Sequence, residues 1–230
     1  MESEVIGHYD ELGRDRDGQA EAFDAIGERY DQAFPLKEGQ WAAGAWLAAS
    51  LPAGAAVLDL GCGSGLPTAR QLVDAGHRVT GVDASRLMVE LARANVPQAD
   101  IHHLDLADLR DGGPAEALAG GDGRYDGVAA FFSLLMLPRH EIPHALRMIA
   151  ALLRPGGLLA LGMVEADVDD FPIPFLDTTI RVSGYLRDEL RLVVMDAGFD
   201  VVEESSHSYA PASTQVPPEE QIFLHCRRQA

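Results

Sequence analysis

The stretch VLDLGCGSG, Val57 to Gly65, sets an aspartate just ahead of three glycines in G-x-G-x-G spacing. Such glycines let a backbone approach a ligand closely, and a phosphate, a dinucleotide and a cationic cofactor are the candidate ligands. A dinucleotide fingerprint reads G-x-G-x-x-G, and Leu66 stands where its third glycine belongs. A phosphate loop needs Gly-Lys followed by Ser or Thr, which the chain lacks. Asp59 adds a charge argument, because a carboxylate at a strand end repels a pyrophosphate and attracts a cation. About 22 residues after Gly61, Asp83 in GVDAS offers an acceptor-only carboxylate to both hydroxyls of a ribose. Asp105 in HHLDLADL is a third acid, within reach of a base amino group. Two of these acids also have a plainer use: Asp59 as a cap on the loop's own N–H groups, and Asp83 as a helix cap in competition with Ser85.

Positioning these acids on one edge requires parallel strands. From Ala55 onward, short apolar runs alternate with amphipathic segments, the pattern of a parallel sheet covered on both faces. Strands are expected at 55–60, 77–83, 100–104, 125–131 and 157–164, with helices at 66–75, 85–94, 114–119 and 142–153 between them. A further helix at 185–197 precedes strands at 199–207 and 221–226, which have no helix between them and should pair antiparallel. Ahead of the sheet, 19–34 and 38–51 read as helices, the second with Trp41, Ala45, Ala48 and Leu51 on one side. The insertion at 165–184 is too long for an ordinary connector, and its Phe171, Ile173, Phe175 and Leu176 are candidates to line an apolar pocket.

With 230 residues, 47% of them hydrophobic, the chain can bury a core, most simply as one decorated domain. A formal charge of -18 disfavours a nucleic-acid partner, since phosphate binding draws on clustered Lys and Arg. The N-terminal stretch lacks a signal peptide's apolar core, and no run reaches the roughly 18 apolar residues of a membrane helix, so a cytoplasmic protein without a membrane partner is expected. Cys62 and Cys226 read as buried thiols. His102 and His103 alternate across a strand and cannot share one metal ion, and no metal site is expected.

Several separate stretches resemble the class I S-adenosylmethionine-dependent methyltransferases, over 55–230 and in order. VLDLGCGSG resembles their glycine-rich first motif, GVDAS their ribose-binding acid, DLADL their adenine contact and RYDGVAAFFSLLMLP their fourth strand with the loop behind it, which includes Phe131. LLRPGGLLAL and MDAGFDVV are similar to their turn into strand five and the step before their closing pair, and IGERYDQAFPLKEGQWAAGAWL to the helical lid of small-molecule members. The resemblance implies a Rossmann-like doubly wound α/β sheet of seven strands, order 3-2-1-4-5-7-6 with strand seven reversed, under a lid formed by 1–54. It implies S-adenosylmethionine as cofactor, S-adenosylhomocysteine as product, and a small specialised metabolite as partner. By position, Asp59 and the Gly61 backbone would meet the methionine end of the cofactor, with Gly63 and Gly65 completing the loop and Tyr30 covering it. Asp83 would take the ribose, Ala84 and Met88 would pack on adenine, and Asp105 with the Leu106 amide would meet the adenine edge. One departure concerns catalysis: where many members carry a histidine after strand four, this chain has Met136.

Methyl transfer needs a base only if the acceptor must lose a proton. Glu165, His140, His8 and Tyr9 are the candidates for that role, Glu165 first because it ends strand five. The expected function is transfer of a methyl group to an oxygen or nitrogen of a small, largely apolar metabolite. The alternatives are a protein that uses the cofactor without consuming it, steering a cyclisation or isomerisation, and a nicotinamide dehydrogenase, which the missing glycine and the acids Asp59 and Asp105 disfavour. The sequence leaves open the acceptor and whether the protein is a monomer or homodimer.

Overall fold

The computed structural model describes residues 18–35, 37–106, 109, 113–119, 121, 123–212, 216 and 218–229; His8 and Tyr9 lie outside them. A helix over 18–26, α1, is followed by α2 (Arg29–Ala33) and α3 (Glu38–Ser50). Then come β1 (Ala56–Leu60), α4 (Thr68–Asp74), β2 (Arg78–Asp83), α5 (Arg86–Asn95), β3 (Asp100–His103), α6 (Pro114–Leu118), β4 (Tyr125–Phe131), α7 (Ile142–Leu152) and β5 (Leu153–Val164). The chain closes with β6 (Val168–Phe175), β7 (Thr178–Gly184), α8 (Arg187–Asp196), β8 (Phe199–Tyr209) and β9 (Glu219–Arg228).

Seven strands form one sheet in the order β3-β2-β1-β4-β5-β9-β8. β1 to β5 pair in parallel, and β9 runs antiparallel to both β5 and β8. This is the expected seven-stranded order, with the inserted pair β6 and β7 left outside it. Because side chains alternate along a strand, the sheet feeds two cores. Leu58, Leu60, Val128, Ala130, Leu159 and Leu161 join the buried faces of α7 and α8. Val57, Ala129, Phe131, Leu158 and Ala160 meet Ala43 and Leu47 of α3 and Ala69 and Leu72 of α4. Asp59 shares the alternation of Val57, so its side chain belongs to the α3 and α4 side.

Three local expectations change. The helix expected over 19–34 breaks at Gly27, whose φ of +53° suits glycine, and a Cβ there would sit 3.0 Å from Leu87. The buried side of α3 is Gly39, Ala43, Gly44 and Leu47, while Trp41 is 48% exposed and Ala45 is exposed. α3 carries small apolar residues all round, so spacing alone did not select a face, and the close approach of Gly39 to Phe223 did. The insertion at 165–184 is a β-hairpin, β6 with β7. Within it Phe175, Leu176 and Ile180 join Ala22, Ile26, Ala33 and Phe34 in a separate small core between lid and hairpin, and Phe171 is 53% exposed on the outside.

Candidate active site

The glycine loop is built against the end of β2. The N–H groups of Gly61 and Cys62 both donate to the Val82 carbonyl at 2.9 Å. Gly61 has φ +75°, and a Cβ there would fall 2.4 Å from the Ser133 Cβ, so both conformation and space demand glycine. The Gly63 N–H donates to Asp83 Oδ2 at 2.8 Å and the Ser85 N–H to Asp83 Oδ1 at 2.9 Å. Asp83 therefore pins the loop and the start of α5 together, while Ser85 Oγ accepts the Met88 N–H as the helix N-cap. Each Asp83 oxygen accepts one of these N–H groups and keeps further acceptor capacity. Burial raises the Asp83 carboxyl, opposed by the two N–H donors and by nearby His103.

Asp59 is 2% exposed and its Oδ2 has no hydrogen-bond partner. Burial first, then the Asp83 charge, push its carboxyl up to about 7 against the pull of the Ala69 N–H. A buried acceptor held this way costs free energy until a donor or cation reaches it.

Above the strand ends lies a cavity of about 250 Å³. On its sheet side the lining includes Gly61, Gly63, Asp83 and Asp105, the last just beyond the end of β3, so these acids of neighbouring parallel strands share one rim. Ala84, Met88, Leu106 and Phe131 also line it, and Tyr30 does so from the lid. Gly65 faces away: its missing Cβ leaves room for Ala92 of α5 and for Val96 just past that helix, 3.4 and 2.9 Å off. Asp59 lies outside the lining itself. Neither Glu165 nor His140 lines the cavity. Glu165 accepts from the Arg187 backbone N–H and guanidinium, both at 3.1 Å, at the start of α8, and the exposed His140 sits 3.6 Å from Glu141.

The far side of the cavity is roofed by lid and hairpin. Ile173, Phe175, Ile180 and Val182 line it from the hairpin. Tyr30, Phe34, Phe175 and Tyr209 form a bank of rings: Tyr30 and Phe175 each stack on Phe34 at 5.0 and 5.8 Å, and Phe34 stacks on Tyr209 at 5.7 Å. Burial pushes the Tyr30 phenol well above its ordinary range. Polar contacts hold the lid down. Asp24 of α1 accepts the Ser85 hydroxyl at 2.5 Å and the Leu87 N–H at 3.0 Å. Asp31 accepts from Ser64 Oγ and Lys37 Nζ, each at 2.6 Å, and Gln19 bonds the Arg181 backbone on both sides.

Among the polar groups of the lining that sequence reading missed are Ser133, Glu219 and Gln221. Ser133 follows Phe132, whose φ of +57° marks a tight turn at the end of β4 that residue type does not announce. Glu219 lies in a stretch that reads as a Pro-rich loop, and only pairing with Tyr209 brings it to the cavity. Among the described residues no three His, Cys, Asp or Glu side chains group to hold a metal, and no helix is long and apolar enough to cross a membrane.

Residues 57–157 match the family described as a methyltransferase domain. Methyltransferase GfsG of Streptomyces halstedii is 30% identical over 181 residues, spanning 75% of this chain and 63% of that protein. An uncharacterized methyltransferase of Synechocystis is 31% identical over 169 residues, spanning 71% of this chain and 74% of the relative. The chain spans about half to two thirds of the length of several such curated relatives. The fold matches the Burkholderia thailandensis 1,6-didemethyltoxoflavin-N1-methyltransferase, solved with bound 1,6-didemethyltoxoflavin and S-adenosylhomocysteine, with a TM-score of 0.69 at 22% identity, covering 95% of this chain and 90% of that one. With the sheet order, the glycine loop and the rim of acids, these matches place the chain in the class I S-adenosylmethionine-dependent methyltransferases.

Proposed function

We propose that this protein transfers the methyl group of S-adenosylmethionine to an oxygen or nitrogen of a small, largely apolar metabolite. The observation that carries the reading is the rim that the glycine loop, Asp83 and Asp105 share above a largely apolar chamber, with the partnerless buried Asp59 oxygen on the strand behind it. The residues fit the cofactor: Asp59 suits an ammonium or sulfonium charge, Asp83 a pair of ribose hydroxyls, Met88 and Ala84 the adenine faces, and Asp105 with Leu106 the adenine edge. The names of the relatives support the same chemistry. In this reading residues 1–54 act as the lid over a catalytic domain at 55–230, with 165–184 forming part of the acceptor pocket, in a cytoplasmic protein.

When bound, the cofactor supplies a methyl group already activated by a positively charged sulfur. The chain's part is then alignment and exclusion of water. The loop and Asp83 fix one partner, the apolar roof of Phe175, Ile173 and Val182 shapes the space for the other, and the lid bonds of Asp24 and Asp31 shut the chamber. Neither Glu165 nor His140 is placed to take a proton from an acceptor there.

Incubating purified protein with a metabolite extract and methyl-labelled cofactor, followed by mass spectrometry, tests the proposal. A labelled product is the expected result and names the acceptor. Tight cofactor binding with no label in any product would instead favour the reading in which the cofactor is not consumed.

A further inference from the structure

Glu219 belongs to no motif, yet it lines the chamber where lid, hairpin and sheet meet. It opens β9, pairs with Tyr209 of β8, and receives a 2.7 Å hydrogen bond from Gln221. Burial raises its carboxyl despite that bond, and its charge helps raise the Tyr30 phenol, so the two share one poorly solvated space. Its strand partner Tyr209 carries the ring that stacks on Phe34, and the same cavity is lined by Ile173, Phe175, Ile180 and Val182. Lys37 is the one cationic side chain among the described lining residues, and Asp31 neutralises it at 2.6 Å. An anionic guest would meet Glu219 and Asp83, and among the described lining residues the one cation, Lys37, is already paired. A guest without a donor would strip water from Glu219 and return nothing.

We propose that Glu219 is the specificity-determining residue for the acceptor: its carboxylate accepts a hydrogen bond from a hydroxyl on a flat, otherwise apolar molecule. The chamber then takes phenol-type acceptors and refuses carboxylic acids and donor-free hydrocarbons. The stacked rings supply an aromatic wall, and the carboxylate beside Tyr209 sets which end of the guest points inward. The word acceptor rests on the methyl-transfer reading; the binding preference does not.

The test is equilibrium dialysis of the full chain with 2-naphthol, 2-methoxynaphthalene and 2-naphthoate, with and without S-adenosylhomocysteine, whose own binding is measured separately by calorimetry. Wild type should hold 2-naphthol at least about tenfold tighter than either other probe, the scale of one buried hydrogen bond to a charged group. Glu219→Ala should lose about that factor for 2-naphthol, Glu219→Gln should lose less because an acceptor oxygen remains, and S-adenosylhomocysteine affinity should match wild type in both. Naphthoate held as well as naphthol, an unaltered naphthol affinity in Glu219→Ala, or no naphthol binding by wild type would overturn the proposal. Failure of wild type to bind S-adenosylhomocysteine would strike the methyltransferase reading instead, and the probe series run without that nucleoside would still judge Glu219.

Discussion

Asp83 and Gly63 are joined by a 2.8 Å hydrogen bond from the backbone N–H of one to the carboxylate of the other. The bond spans the gap between the glycine loop and the end of β2. The carboxylate proposed to hold a ribose thus also holds the loop in shape, and loss of ligand affinity and loss of loop order are expected to go together when it is removed.

Asp83→Ala is expected to weaken S-adenosylhomocysteine binding by about 1 to 3 kcal/mol, the effect of stranding buried hydrogen-bond partners. Calorimetry reads the affinity, and amide exchange at Gly63 and Ser85 should speed up in the same variant. An unchanged affinity would remove Asp83 from the site.

Asp59 predicts a pH dependence with a definite sign. Its folded-state value near 7 lies above the ordinary 3.8, so between those values the folded chain holds a proton that the unfolded chain has released, and stability of the ligand-free protein falls as pH rises through that window. Asp59→Asn should flatten the slope and stabilise the empty protein above pH 7, on the order of 2 to 4 kcal/mol, while weakening the cofactor. Denaturation at a series of pH values checks the slope. A cationic ligand should also displace the proton, so calorimetry at neutral pH in buffers of different ionisation enthalpy should differ for wild type and agree for the variant.

Asp24 ties α1 to the start of α5 through two hydrogen bonds. Asp24→Ala is expected to weaken the closed lid by about 1 kcal/mol, as for other helix-capping carboxylates. Hydrogen exchange over 18–33 should accelerate while β1 and β4 stay protected. Uniform acceleration of the whole sheet would mean the residue serves global stability instead.

Phe175 is 7% exposed and touches Phe23, Tyr30 and Phe34. Phe175→Ala should destabilise the lid and hairpin by about 3 kcal/mol through the cavity it leaves. Protease cleavage in 18–35 or 165–184 ahead of the rest of the chain is the signature to seek. Cleavage no faster than in wild type would show that lid and hairpin do not stabilise one another.

The sheet was legible because its evidence is local. The alternation that sends Val57 to one core and Leu58 to the other is written in neighbouring residues, and parallel strands put the ends carrying Asp59 and Asp83 on one edge whatever else the chain does. Ser85 was recognisable as a cap for the same reason. Trp41 was not recognisable as exposed, because α3 is apolar on every side and its buried face was chosen by Phe223, far along the chain.

The sequence by itself determined the succession of strands and helices along the chain, the glycine loop and the acids that follow it, since these depend on spacing and on residue conformation within a few positions; the order of strands in the sheet was implied by the family resemblance. Tertiary structure decided that the hairpin and the first helices share a core, that Glu165 is bound to Arg187 instead of facing the cavity, and that Glu219 does face it. The first joins residues more than a hundred positions apart, and the other two turn on how separate elements meet. Such contacts are fixed by the mutual packing of whole elements, and no pattern of neighbouring side chains encodes them.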